Sequence, residues 1–397
     1  MKKKPKLLLV SLDAVSSRDT ELLAQQPAFK SLMDQGTLIK NVSSIFISNT
    51  YPIHTSMITG VLPAFHGIID NTHLEFGNPE PYWRWYYDLI QKENIVSQAL
   101  KQQLKIASVF WPVMAKAPIK YNIPEIIARD HENQIIAVLK NSTKLFALIS
   151  FLKYGKEVQG SKQPQLDDFS TKVACSLLRK NNVDLLLLHL TDVDTYKHSH
   201  GIASPEVEAA LLRMDKRLSK LLAAANDNYQ ILVVSDHAQV DVKHHIDLNQ
   251  NNPFPATWWH LSEGTAVLLE KVPLDDSAFS QLKNWLEKQA FFRRYITTEE
   301  MHNSGFSQES RLAIAANEDW AFSLASNNHI GNHGYPTDLA NYQAFYLASS
   351  SLVKAKQIVA GGSVLDVCPL SLRLLGLPAF CNNGFIHPQL IKDPGQE

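Results

Sequence analysis

Four stretches of the chain are almost continuously apolar: KLLLVSLDAV (6–15), KIASVFWP (105–112), DLLLLHLTDVD (184–194) and YQILVVSDHAQ (229–239). A strand with one wet face alternates apolar and polar positions, whereas a strand covered on both faces reads as an unbroken run. The four runs therefore predict buried parallel strands. Between them lie helical patterns, the clearest being SPEVEAALLRMDKRLSKLLAAA (204–225). There Ser204 is placed to cap, Pro205 takes the first turn, and Val207, Leu211, Met214, Leu218 and Leu221 form one apolar stripe. Strand–helix alternation predicts an α/β protein, a three-layer α/β/α sandwich around a mostly parallel sheet.

Two regions break the rhythm. Residues 72–165 carry an aromatic cluster (PYWRWYYDL), and residues 240–325 mix short strand-like pieces with loops. Both are expected to be cap segments inserted into one catalytic domain spanning 1–397. The first residues, MKKKPKLLLVSLDAVSS, imitate a secretory signal, but the run LLLVSL is short and Asp13 interrupts the apolar stretch. It is read as the first buried strand, with a cytoplasmic location expected. The 397 residues are 45% hydrophobic and 19% charged with a net charge of −1, which excludes a broad basic field for nucleic acid. No run reaches the roughly 18 apolar residues of a membrane span. The three cysteines, Cys175, Cys368 and Cys381, form no CxxC pair and suggest no disulfide framework.

The chemistry lies where the apolar runs end. Asp13 closes the first, Asp194 closes the third with His198 four residues on, and Asp236 and His237 close the fourth. In a parallel α/β sheet the carboxyl ends of the strands share one edge, where ligands bind. A further loop, GNHGY (331–335), presents His333 between residues that let the backbone approach closely. Carboxylate oxygen and neutral imidazole suit divalent cations of the zinc type, and two such ions can clamp a phosphoryl displacement. Asp194, His198 and His333 would form one set, and Asp13, Asp236 and His237 the other, with Thr50 as its fourth ligand. Thr50 comes from SNTYPIHTSMITG (48–60), at the mouth of an expected helix whose N–H groups and dipole favour an anion. Each feature has an ordinary alternative: an Asp after a strand often caps the next helix, and D-x-x-x-H on a helix is an i,i+4 pair. His189, His244, His245 and His260 are read as structural or surface residues, and His54 as packing.

Taken in order, these residues resemble the alkaline phosphatase superfamily in its nucleotide pyrophosphatase/phosphodiesterase branch. TYPIHTSMITG followed by LPAFHGIIDN is similar to the branch's nucleophile segment, DTYKHSHG to its D-x-x-x-H-x-x-G element, and SDH and NHGY to its remaining ligand segments. The segment 363–378 looks like its closing strand–helix element. The resemblance implies a hydrolase of phosphodiester or pyrophosphate bonds, acting on a small nucleotide-type or related phosphate ester. It implies Thr50 as a nucleophile passing through phosphothreonine, and Asn71 as a ligand of a nonbridging oxygen. It also implies two divalent cations, Zn²⁺ first, with Mn²⁺, Co²⁺ or Fe²⁺ as alternatives. Three positions depart from the branch's pattern: Ala14 and Lys197 stand where Gly is common, and Asn332 where Asp is common. Lys197 is expected to point to solvent. Tyr196 and Trp83 are expected to meet substrate, while Tyr82, Trp85 and Tyr86 either stack on it or fill a core. A phosphonate-bond hydrolase or phosphomonoesterase of the same superfamily is the alternative activity. A non-catalytic metal-binding protein is the alternative of another class.

Overall fold

The computed structural model describes residues 4–128, 132–250, 252–324 and 326–392. Its centre is an eight-stranded sheet. The strands that matter most are β1 (Leu7–Leu12), β2 (Gly36–Val42), β3 (Ile106–Val109), β4 (Tyr121–Ile123), β5 (Leu185–Leu190) and β6 (Gln230–Val234). Across the sheet the order is Gln357–Ala360, β2, Ala344–Ser349, β6, β1, β5, β3, β4. Every neighbouring pair is parallel except the two made by Ala344–Ser349. The mostly parallel sheet expected from the apolar runs is present, and β1 lies inside it between β6 and β5.

Alternation along β1 feeds two cores. Leu8, Val10 and Leu12 pack with Phe29, Phe169, Val173 and the stripe Val207, Leu211, Met214, Leu218 and Leu221. Leu7 and Leu9 face the other way, against Ile53, Met57, Val96, Leu370 and Leu374. Leu186 and Leu188 join the first core, while Leu185 and Leu187 join the second. Helices thus cover both sheet faces, which is why these strands tolerate no polar side. The Pro205–Ala225 helix begins as the sequence predicts, with Ser204 Oγ accepting the Val207 N–H at 3.2 Å.

The parallel register sets the edge where the site forms. Leu12 pairs with Leu190, Ser11 with Val234, and the Asp13 N–H donates to Leu190 O at 2.9 Å. The residues that follow β1, β5 and β6 therefore emerge together. One expectation changes here: Asp194 belongs not to a strand end but to the first turn of the Asp192–His200 helix. The stretch 72–165 contributes β3 and β4 to the central sheet before turning into the helices Gln134–Asn141 and Lys144–Tyr154. Residues 257–316 build a separate four-stranded antiparallel sheet, ordered Phe292–Tyr295, Ala313–Ala316, Thr265–Glu270, Thr257–Ser262. Among the described residues no helix is long and apolar enough to cross a membrane.

A buried charge cluster anchors the Asp192–His200 helix. Arg217 is 1% exposed and donates to Asp192 at 2.6 Å, to Asp168 at 3.0 Å and to the Pro164 carbonyl at 3.0 Å. Arg213 adds a bidentate pair to Asp192 at 2.7 and 2.9 Å. Removing the central cation takes the 2.6 Å contact from buried Asp192, leaving it the Arg213 pair, and takes a cation 3.9 Å away from buried Asp167. Arg217→Ala is expected to cost about 3–5 kcal/mol of folding stability, read from urea denaturation. A loss below about 1 kcal/mol would show that the cluster does not hold this helix.

Candidate active site

The acid-bearing ends of β1 and β6 meet the first turn of the Asp192–His200 helix and the 331–335 loop. Ligand atoms of Asp194, His198 and His333 lie within 4.8 Å of one another, as do those of Asp13, Asp236 and His237. The imidazoles crowd without stacking: His237 and His333 centroids are 4.3 Å apart and His198 and His333 centroids 5.2 Å. Thr50 Oγ1 sits 3.3 Å from His237 Nε2.

Each of these three histidines is held by its Nδ1. His198 Nδ1 donates to the Gly331 carbonyl at 2.7 Å, and His237 Nδ1 lies 3.2 Å from the Ala238 carbonyl. A carbonyl oxygen can only accept, so both rings carry a proton on Nδ1 and turn Nε2 into the cluster, where it offers a lone pair once unprotonated. His333 Nδ1 lies 2.9 Å from Asn49 Oδ1. That amide is itself fixed, because its Nδ2 donates to Asp70 at 2.6 Å and to Ser262 Oγ at 2.7 Å. Burial works to raise the Asp70 carboxyl, but His260, 2.8 Å away, together with Asn49 and Ser262, holds it below the usual range. His260 is therefore a support of the site rather than a surface residue. The antiparallel sheet delivers this arm, and Gly334 completes it. A Cβ at Gly334 would lie 2.5 Å from Ser262 O and 3.0 Å from Asn49 Oδ1, on a backbone already at φ +76°.

The carboxylates are supported differently. Asp13 Oδ2 lies 2.9 Å from His189 Nε2, and His189 Nδ1 lies 2.8 Å from Glu125 Oε2. Burial would lower the His189 pKa, yet its two carboxylate neighbours hold it well above the ordinary value. Sequence reading left His189 among the structural residues and did not single out Glu125. The signal available was an imidazole inside an otherwise aliphatic strand. Burial raises the Asp13 pKa well above normal, and Asp236 and Asp194 add to it. Asp13 Oδ1 and Asp236 Oδ2 are buried without a hydrogen-bond partner. Unpartnered carboxylate oxygens beside imidazole nitrogens are the donor set of a divalent cation, so the residues present fit the group.

Asn71 has a defined orientation. Its Oδ1 accepts the Tyr51 N–H at 2.8 Å, which leaves its Nδ2 as a donor beside Thr50. Of the helix mouth, Tyr51 N–H is taken by Asn71, Pro52 has none, and Ile53 N–H donates to Asn49 O at 3.2 Å. The expectation that several helix N–H groups would await an anion is corrected: Thr50's own N–H is the one left. His54, expected only to pack, joins its Nδ1 to the Thr50 carbonyl at 2.8 Å and its Nε2 to Ser11 Oγ at 2.8 Å. It thereby pins the helix mouth to β1.

Thr50, Asn71 and Trp83 line one cavity of about 480 Å³ together with Asp13, Asp194, His198 and His333. Glu263 and His329, which sequence reading did not single out as ligands, also line it, and with His198 they form a third cluster within 4.8 Å. Tyr196 is elsewhere: its ring stacks on His200 at 5.6 Å and carries the Arg213 guanidinium at 4.6 Å. Tyr82, Trp85 and Tyr86 line a different cavity. Lys197 is buried, contrary to expectation, with Nζ donating to Ala14 O at 2.8 Å and to Asp19 Oδ2 at 2.6 Å. No arginine or lysine lines the Thr50 cavity among the described residues, and Arg18 is exposed.

A profile described as "Type I phosphodiesterase / nucleotide pyrophosphatase" matches residues 7–336. The chain belongs to that family. It is a hydrolase of phosphodiester or pyrophosphate bonds, in a family that is metal-dependent. The bis(5'-adenosyl)-triphosphatase ENPP4 of Bos taurus is 22% identical, over 96% of this chain and 80% of that protein. Human ectonucleotide pyrophosphatase/phosphodiesterase family member 5 is 23% identical, over 96% and 76%. Murine ectonucleotide pyrophosphatase/phosphodiesterase 5, solved in an inactive form with AMP, shares the fold at a TM-score of 0.73 and 19% identity. That match covers 96% of this chain and 98% of the murine one.

The His189–Glu125 pair orients Asp13, so its loss should be felt as weaker cation binding. Glu125→Gln and His189→Asn are each expected to lower Mn²⁺ or Zn²⁺ affinity about 10–100-fold by calorimetry, with the fold kept by circular dichroism. Unchanged affinity in both would show that Asp13 needs no such support.

Proposed function

We propose that this protein hydrolyses phosphodiesters or pyrophosphates with Thr50 as the nucleophile, its two carboxylate–imidazole sets each holding a divalent cation. The observation that carries the reading is that His198, His237 and His333 each have Nδ1 anchored on a protein acceptor, while His198 Nε2 lies 3.3 Å from Asp194 and His237 Nε2 lies 3.3 Å from both Asp236 and Thr50 Oγ1. Asp194, His198 and His333 would hold one cation, and Asp13, Asp236, His237 and Thr50 the other, with Zn²⁺ the best match to the nitrogen and oxygen donors. Bound there, the cations supply Lewis acidity that polarises the phosphoryl group and favours an ionised hydroxyl.

The chain's own groups do the rest. Thr50 Oγ1 forms the new bond to phosphorus as the bond to the departing oxygen breaks, giving a phosphothreonine that water then cleaves. Asn71 Nδ2 and the Thr50 N–H are the donors for a nonbridging oxygen, held in place before reaction by the Tyr51 contact. The cavity wall bears on diester against monoester. A monoester brings a dianion, commonly met by an arginine, whereas a diester is a monoanion that needs no further cation. The absence of arginine and lysine from the described lining favours the diester over the monoesterase alternative.

Thr50→Ala is expected to lower kcat on bis(4-nitrophenyl) phosphate about 10⁴-fold or more while leaving cation content intact. Retention of most activity would remove Thr50 from the chemistry. Asn71→Ala should cost about 10²–10³ in kcat. The wild-type protein should prefer this diester to 4-nitrophenyl phosphate, and the reverse preference would overturn the diester reading.

Cation loading should also depend on pH. Burial opposes charge on His198, but the Asp194 carboxylate beside it raises the imidazole to about 10. Below that value the ion-free ring is protonated on Nε2, and a cation must displace the proton. Apparent affinity should therefore fall about tenfold for each pH unit lost between pH 9 and 7, measured by competition with a chromophoric chelator. A flat profile would exclude His198 as a ligand.

A further inference from the structure

Behind Thr50 and Asn71 the cavity changes character. Its wall becomes Ile126, Ile135, Val138, Phe151, Val158 and Leu166, largely from the helices Gln134–Asn141 and Lys144–Tyr154 and the segments beside them. Phe151 is not free to clasp a flat base, because it already stacks on Phe169 at 4.7 Å and 16°. A mostly aliphatic wall offers a substituent dispersion and dehydration but few directional contacts.

The same helices carry an unusual outer face. Leu145, Leu148, Ile149 and Leu152 follow i, i+3, i+4, i+7 spacing and are 69%, 47%, 52% and 80% exposed. Ala147, Ser150 and Phe151, on the opposite side of that helix, face inward. Ile135 and Ile136 extend the exposed apolar surface onto the preceding helix. An apolar stripe on the water side of a helix is expected where something covers it. Charge says what. From Gln134 to Lys156 the chain has four lysines, Lys140, Lys144, Lys153 and Lys156, and no acidic residue. All four are exposed, and Lys144 and Lys153 flank the leucine stripe on either side. Apolar side chains at the acyl boundary with lysines reaching back to anionic headgroups is the pattern of a helix lying in a lipid interface.

We propose that this helical pair rests on an anionic lipid surface and that the cavity behind Thr50 takes the hydrocarbon chain of a phosphodiester lipid. The proposal rests on the phosphodiesterase reading of Thr50 and names the substituent that its cavity receives. Ile135 joins the two halves, since it lines the cavity and is 57% exposed. Ile135 thus borders both the exposed apolar surface and the cavity.

Two measurements separate this proposal from the reading beneath it. The first is sedimentation with vesicles of phosphatidylcholine alone or with phosphatidylserine added, which needs no catalysis. The wild-type protein should bind the mixed vesicles, more weakly as salt rises, and the Leu148→Asp/Leu152→Asp double variant should bind at least tenfold more weakly. The second is kcat/KM on 4-nitrophenyl methyl, butyl and octyl phosphodiesters. The octyl ester should exceed the methyl ester by at least about a hundredfold, given roughly a fourfold gain per buried methylene. Ile135→Asp should collapse that octyl-to-methyl ratio. No turnover of even the methyl ester would defeat the Thr50 reading, and the lipid surface would still be decided by sedimentation. Turnover with a flat chain-length profile, or preference for a dinucleotide over the octyl ester, would overturn the chain-binding cavity. Failure to bind vesicles would overturn the docking face. So would a wild-type dimer that the double variant converts to monomer, since a second copy would then be the cover.

Discussion

Three crowded carboxylates at one sheet edge, two buried and one half-buried, are the constraint on which the rest of the site depends. Asp13, Asp194 and Asp236 lie close together with little exposure to water, so their charges repel. Burial and the other two carboxylates push the Asp13 pKa well above normal. Asp194 is held below it, because His198, His333 and His237 outweigh its own burial. Compensation comes from imidazoles and, when loaded, cations. Each imidazole is in turn pinned through its far nitrogen, to a carbonyl or to Asn49. The Asn49–Asp70–His260 arm and the Glu125–His189 arm approach from different parts of the chain, yet both fix orientation where mutual repulsion would otherwise scatter the groups.

The same logic joins two departures from the family pattern that looked unrelated in sequence. Ala14, where glycine is common, sits at φ +56°. A side chain in that left-handed region costs on the order of 1 kcal/mol. Lys197, also where glycine is common, is buried and donates to the Ala14 carbonyl and to Asp19. A hydrogen bond from a charged group contributes about 1.5–3 kcal/mol, enough to offset the strain. The residue next to Asp13 and the residue next to His198 are thereby tied together, which joins the turn after β1 to the Asp192–His200 helix. Asp19, drawn into contact with Lys197, also accepts from Ser16 N and Oγ at 2.8 Å, which closes the turn after β1.

How much of this was legible in sequence follows from which interactions are local. Leu7–Leu12, Leu185–Leu190 and Gln230–Val234 announce themselves because burial on both faces leaves each with a single polar residue, a property of the strand alone. Asp13, Asp194, His198, Asp236, His237 and His333 could be singled out because each stands beside such a run or in a recognisable motif. His189 was passed over because an imidazole within a strand carries no local sign of its partner, and Glu125 lies 64 residues away. Lys197 was misjudged because lysine is ordinarily exposed, and its partners Ala14 and Asp19 are more than 170 positions distant. Tyr196 was placed in the pocket by adjacency to the ligands. On a helix, however, neighbours point about 100° apart, and its ring turns to Arg213 instead.

The stretch SNTYPIHTSMITG shows what a fold adds to a motif. The cap position of its helix is Asn49, yet the Asn49 side chain makes no cap bond, because Asp70, Ser262 and His333 occupy it. Asn71, from beyond the next turn, supplies the missing acceptor to Tyr51. Pro52 removes a donor that would otherwise need one. The helix mouth is therefore satisfied at every position except Thr50 itself. An anion arriving there meets one backbone N–H and one oriented amide rather than a ring of competing donors. A helix terminus left fully open would hold water or phosphate indiscriminately. Here the single unfilled N–H belongs to the residue whose hydroxyl faces His237, so binding and reaction geometry are fixed by the same residue.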